Sequence, residues 1–294
     1  MSWQQINISI RSEHLATIEK IVMEHGALSI TYLDAADQPV FQKKPGSTPL
    51  WDNTILSCLF PADKNLQPLL WLLRAQPTTD NDTSLEIQLI EDKDWERSWM
   101  ANFKAMAFGK TLWICPSWQE PPDPKAVNVM LDPGLAFGSG THATTALCLC
   151  WLEQADLMGK HVIDYGCGSG VLAIAASLLG AATIHGVDND PQAIIATIDN
   201  SQRNQISDAQ LTTFLPQELP VIEADILLAN ILAEPLIDLA AKFSILVKVG
   251  GQIVLSGILE NQIDQVLTAY TPQFAMGDPS REGDWVRLSG TRLY

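Results

Sequence analysis

The sequence predicts an α/β chain in two parts: a small α+β domain, then a larger Rossmann-like domain with a mostly parallel sheet. Three observations carry this. Residues 1–94 alternate short apolar strands with two amphipathic helices in the order βαββαβ. From about residue 126 apolar strands recur with helical stretches between them, the pattern of a doubly wound sheet. Within that second part, Val162-Ile163-Asp164-Tyr165-Gly166-Cys167-Gly168-Ser169-Gly170 is followed by Ile184-His185-Gly186-Val187-Asp188. An apolar strand, a glycine run, a helix and a second apolar strand ending in an acid describe a small-molecule site.

The elements follow in order. Residues 3–10 form a strand with Ile6, Ile8 and Ile10 on one face. Ser12 opens a helix to about His25, with Ala16, Ile18, Ile21 and Val22 apolar, and Gly26 caps it. Strands at 28–33 and 54–60 flank a polar loop at 34–53; a helix at 65–75 and a strand at 85–90 complete a ferredoxin-like unit. Residues 91–106 look helical, with Trp95, Trp99 and Phe103 one turn apart, a stripe that packs rather than binds. A short strand at 112–115 ends in the proline-rich stretch 116–124. The larger domain places strands at 162–165, 182–187, 211–214, 225–229 and 251–256. It closes without helices, in strands at 273–276, 285–288 and 291–293. This gives domains at 1–94 and 126–294 joined by a linker helix and connecting segment at 95–125.

Composition bounds the function. A chain of 294 residues, 47% hydrophobic and 18% charged, is long enough for two domains with sizeable cores. It contains no apolar run long enough to span a bilayer, and its first residues carry no secretory signature, so neither membrane insertion nor export is expected. Five cysteines, an odd number without Cys-x-x-Cys spacing, point away from a disulfide framework or zinc site and toward a reducing cytoplasm. A formal charge of −16 opposes non-specific nucleic-acid binding and favours basic partners, though solubility alone accounts for it.

The spacing of the glycine run distinguishes between cofactors. A dinucleotide fingerprint is Gly-x-Gly-x-x-Gly, whereas Gly166, Gly168 and Gly170 alternate and follow an acid. A pyrophosphate gains nothing from a neighbouring carboxylate. S-adenosyl-L-methionine has no phosphate; it carries a sulfonium and an ammonium, which Asp164 would favour, while Asp188 would accept its ribose hydroxyls. The sheet closing on strands rather than further βα units points the same way, to a class I S-adenosylmethionine-dependent methyltransferase domain.

Two more segments fall where such a site would be. Residues 131–145 are glycine-rich and then turn helical, so their amides and hydroxyls can close over the methionine end of the cofactor; a surface loop with a threonine N-cap is the plainer reading. His142 in this segment is a candidate for substrate positioning or proton removal. Asn230 follows an apolar strand at the carboxyl edge of the sheet, able to orient an amine or the cofactor, or else to cap a helix. Its context is Asn-Ile-Leu-Ala, not Asn/Asp-Pro-Pro-aromatic, which disfavours planar-amide chemistry.

At these residues the chain resembles the PrmA family, the bacterial methyltransferases of large-subunit ribosomal protein L11. The likeness rests on residues 131–145, 162–170, 186–190 and 230–233, and extends to Asp94-Trp95-Glu96 and the domain order, hence to nearly the whole chain. The resemblance implies methylation of lysine ε-amines and an N-terminal α-amine through several rounds to trimethyl. It also implies that the small domain recognises a basic ribosomal protein, and that Thr145, Gly166, Asp188 and Asn230 hold the cofactor. A neutral amine would attack the methyl group in line, so alignment and desolvation of the amine matter more than a protein base. The rivals are a methyltransferase of another protein or small amine, and a ribosome-associated binding module without catalysis.

Overall fold

In the computed structural model, residues 2–34, 53–75, 85, 87–91, 104–132 and 142–294 are described. The chain divides into two compact units, Met1–Asn102 and Phe103–Tyr294. The loop at 35–52, the Trp95/Trp99/Phe103 stripe and the glycine-rich residues 133–141 lie outside the described residues.

The first unit is built from β1 (Ser2–Arg11), α1 (Leu15–Glu24), β2 (Ser29–Asp34), β3 (Asn53–Pro61), α2 (Gln67–Arg74) and β4 (Ile87–Glu91). The sheet order is β2-β3-β1-β4, antiparallel throughout, as expected of a ferredoxin-like unit. Alternation decides which face is buried: Ile6, Ile8 and Ile10 point inward with Leu56, Cys58 and Phe60 across the β1–β3 pair. Leu15, Ile18 and Val22 of α1 and Leu69, Leu70 and Leu73 of α2 cover them. The first helix starts later than its sequence pattern implies, because Ser12–His14 form a single 3-10 turn before Leu15.

The second unit opens with a three-stranded sheet of β5 (Met106–Phe108), β6 (Leu112–Cys115) and β7 (Val127–Met130). Only β6 was visible in the sequence, since strands this short carry too few residues for an alternation. The main sheet follows: α3 (Ala143–Gln154), β8 (His161–Tyr165), α4 (Val171–Leu178), β9 (Thr183–Val187), α5 (Pro191–Arg203), β10 (Leu211–Phe214), β11 (Ala224–Asn230), α6 (Ala233–Leu246), β12 (Val247–Leu259), α7 (Ile263–Tyr270), β13 (Phe274–Met276), β14 (Ser280–Glu282) and β15 (Trp285–Arg292). Its order is β10-β9-β8-β11-β12-β15-β13, with β14 beside β15. The pairs from β10 to β12 are parallel, and β15 runs antiparallel to β12.

Two closing strands expected at 285–288 and 291–293 are in fact one. β15 continues through Ser289 and Gly290 because it is paired on both sides, with β12 and with β13 and β14. In α4 every residue from Val171 to Ser177 is buried, which is why its sequence is apolar on all sides rather than amphipathic. Among the described residues no helix is long and apolar enough to cross a membrane.

Candidate active site

The site forms at the carboxyl ends of the parallel strands, where open α/β sheets leave a crevice. The β8 strand delivers the glycine run. The amides of Gly166 and Cys167 donate to the Val187 carbonyl at 2.7 and 3.1 Å, tying the loop to the end of β9. All three glycines have positive φ, +87° at Gly166, +54° at Gly168 and +80° at Gly170, so the turn is left-handed where side chains are strained. A Cβ on Gly166 would also stand 2.3 Å from Cγ2 of Ile231, and one on Gly170 would stand 2.8 Å from Cγ2 of Thr197. The loop carbonyls are held from below: Thr197 Oγ1 donates to Gly168 O at 3.1 Å and Asn200 Nδ2 to Ser169 O at 2.8 Å. These two α5 residues escaped the sequence reading, their only signal being a polar pair on a helix face that turns out buried.

Asp188 follows β9 as anticipated and joins the loop directly. Its Oδ2 accepts the Gly168 amide at 2.9 Å and its Oδ1 accepts the Asp190 amide at 3.0 Å. Each carboxylate oxygen keeps a lone pair for a further donor. Asp190 then caps α5 by accepting the Gln192 amide at 2.9 Å.

Asp164 is placed differently. It is 1% exposed, behind the loop, where Oδ2 accepts the Ala173 amide at 3.0 Å. Among the described residues its buried Oδ1 has no hydrogen-bond partner. Burial pushes this carboxyl up to about 7; the Ala173 amide opposes the shift and the Asp188 charge adds to it. An acid in that state is ready to ionise beside a cation.

The second cluster unites residues far apart in sequence. Asn230 Nδ2 donates to Thr145 Oγ1 at 3.2 Å, and Thr145 is fully buried. The helix-capping alternative for Asn230 fails, since α6 starts only at Ala233, with Leu232 at its N-cap. His142, not a threonine, caps α3: its Nδ1 accepts the Thr144 amide at 3.3 Å and lies 2.8 Å from Thr144 Oγ1. With Nδ1 an acceptor, the neutral ring carries its proton on Nε2. The imidazole meets the Trp285 ring edge-on at a centroid distance of 4.9 Å.

Between these groups lies a cleft of about 450 Å³ walled by Thr144, Asn230, Ile231, Leu232, Pro235 and Trp285. Its wall is almost wholly apolar. Ile231 belongs to both clusters, facing the cleft while its side chain occupies the space a Gly166 Cβ would need. The structure thus brings together His142, Thr145 and Asn230, and separately Gly166, Gly168, Gly170 and Asp188, with Ile231 as the shared wall. Trp285 and Pro235 were missed because neither stands in a local motif.

Comparison with known proteins decides the family. Residues 2–293 match the family model for ribosomal protein L11 methyltransferase (PrmA). The chain belongs to that family. The ribosomal protein L11 methyltransferase of Marinobacter nauticus is 50% identical over 295 residues, 99% of each chain. That of Shewanella amazonensis is 50% identical over 293 residues, again 99% of each. The crystal structure of a ribosomal protein L11 methylase from Lactobacillus delbrueckii subsp. bulgaricus superposes with a TM-score of 0.58 at 32% identity, covering 65% of this chain and 100% of that one. This family member is accordingly an S-adenosylmethionine-dependent methyltransferase, as the paired motifs and the resemblance implied.

Proposed function

We propose that this protein transfers methyl groups to primary amines of ribosomal protein L11, both lysine ε-amines and the N-terminal α-amine, through successive rounds in the cytoplasm. The supporting observation is the shared wall at Ile231: an apolar cleft with three polar side chains, His142, Thr144 and Asn230, stands directly against the glycine loop. An alkylamine fits such a cleft, since its stem needs apolar walls and its nitrogen must shed a proton.

The residues present fit the cofactor. The lone pairs of Asp188 suit ribose hydroxyls, and Oδ1 of Asp164, without a partner among the described residues, suits a cation. Thr145 and Asn230 would hold the methionine end. When bound, S-adenosylmethionine supplies an electrophilic methyl group on sulfur. The chain's own contribution is to orient the amine through Asn230 and His142 and to keep water off it through Trp285, Ile231 and Leu232. In its neutral form His142 offers an Nε2–H donor, so it positions the amine rather than deprotonating it; the proton leaves to solvent.

The first unit is assigned substrate recognition, and the −16 charge then assists encounter with a basic ribosomal protein and repels nucleic acid. The test is incubation with labelled S-adenosylmethionine and purified bacterial ribosomal proteins, with the label located by mass spectrometry. Label on L11 lysines and its N-terminus is expected. Label confined to another protein or to side chains other than amines refutes the assignment.

A further inference from the structure

Arg287 is a half-buried charge two residues along β15 from the cleft-lining Trp285. Because Val286 and Leu288 face the opposite core, Trp285 and Arg287 share one face of the strand. Facing it on α3 are Cys148 and Cys150, the former one turn beyond Thr144. Its Nη2 donates to Ser280 on the paired strand β14. Among the described residues its buried Nε has no partner and no carboxylate lies within ion-pair distance of it. Burial pulls its pKa below the usual arginine range.

Keeping an unpaired guanidinium half-buried costs stability, so its retention calls for a use. Of the acids nearby, Glu260 holds Arg281 at 2.9 Å, Asp164 is buried on the far side of Cys148, and Glu234, Glu282 and Asp284 are exposed to water, which screens their charge. Among the described residues that line the cleft, His142 is the one titratable side chain and none is a carboxylate; Arg287 lies two residues beyond the lining Trp285.

We infer that Arg287 is an electrostatic positioning residue whose fixed charge keeps the substrate amine neutral and nucleophilic in the cleft. It touches no reacting atom. A cation near an amine disfavours the protonated form. Alternate residues on a strand are about 6.7 Å apart, which places the charge roughly 10 Å from the amine; at an effective dielectric of about 20 that lowers the amine pKa by about one unit. In each round the nitrogen lone pair forms the N–C bond as the C–S bond breaks, and the resulting ammonium loses a proton to water before the next. The same field favours that loss, and a quaternary product that has no proton to lose is repelled from the site.

This inference rests on the amine reading above, and one set of experiments separates them. Single-turnover methylation of purified ribosomal protein L11 is followed against pH at saturating S-adenosylmethionine. In Arg287→Met the acid limb of the rate profile should move up by about one pH unit, while Arg287→Lys, which retains the charge, should keep the wild-type limb. Cys150→Asp leaves Arg287 in place but sets a carboxylate beside it, and should reproduce the upward shift; it decides the matter alone if Arg287→Met does not fold. Profiles superposing on wild type in whichever of these two variants fold overturn the inference even if their rates fall. Absence of transfer by the wild-type chain at every pH overturns the amine reading, and this inference with it.

Discussion

Replacing Asp188 by alanine separates the loop contact it makes from the cofactor contact proposed for it. In the free protein its carboxylate accepts two backbone amides, from Gly168 at 2.9 Å and Asp190 at 3.0 Å, in a half-buried setting. Truncation returns those amides to water, costing about 3 kcal/mol in all, or roughly 6–12 °C in Tm for a unit of this size. The loss on binding is separate. Two hydroxyl hydrogen bonds to a charged acceptor are worth about 1.5–3 kcal/mol each, and partial exposure puts each near the lower end, so about 3 kcal/mol disappears. Adding the looser loop, affinity for S-adenosylmethionine should fall between about 100- and 1,000-fold. Asp188→Asn should fall between wild type and alanine, because its amide group cannot accept from Gly168 and Asp190 together. Isothermal titration calorimetry measures the affinity and thermal melting the stability. An affinity within about threefold of wild type in the alanine variant would show that Asp188 serves the loop and not the ligand.

Asp164 makes stability depend on pH in an uncommon direction. Its folded pKa of about 7 lies above the unfolded value near ~3.9, so the folded state holds the extra proton and stability should fall as pH rises from about 4 to 7, then level off. Asp164→Asn should flatten that slope in melts between pH 5 and 8, and affinity for the cationic cofactor should rise through pH 7 in wild type alone; parallel melting curves contradict this. Gly170→Ala forces a Cβ into φ +80° and within 2.8 Å of Thr197, so it should lose about 2 kcal/mol or more, seen as a lower urea midpoint; an unchanged midpoint would mean the loop relaxes freely. His142→Ala removes the α3 cap, costing about 1 kcal/mol, and slows single-turnover transfer, whereas His142→Asn keeps the cap and loses only the Nε2–H donor; if the asparagine variant transfers at the wild-type rate, His142 is a cap and nothing more.

The sequence by itself determined the fold class, the order of elements in the first unit, and the glycine run with its following acid. Ile6, Ile8 and Ile10 announce a strand because their period is two, and Gly166, Gly168, Gly170 and Asp188 announce a loop and an acid because local backbone geometry requires those residue types at that spacing. Only the tertiary structure decided the apolar cleft. Trp285 reaches His142 because β15 slots between β12 and β13, and Asn230 reaches Thr145 across 85 positions of sequence, contacts that chain order does not encode locally. It also set apart the two acids of the motif pair. Sequence spacing sets Asp164 and Asp188 near the ends of successive strands, yet packing buries the first and leaves the second half-buried on the loop. Burial, a property of the assembled core, therefore pushes the Asp164 carboxyl up.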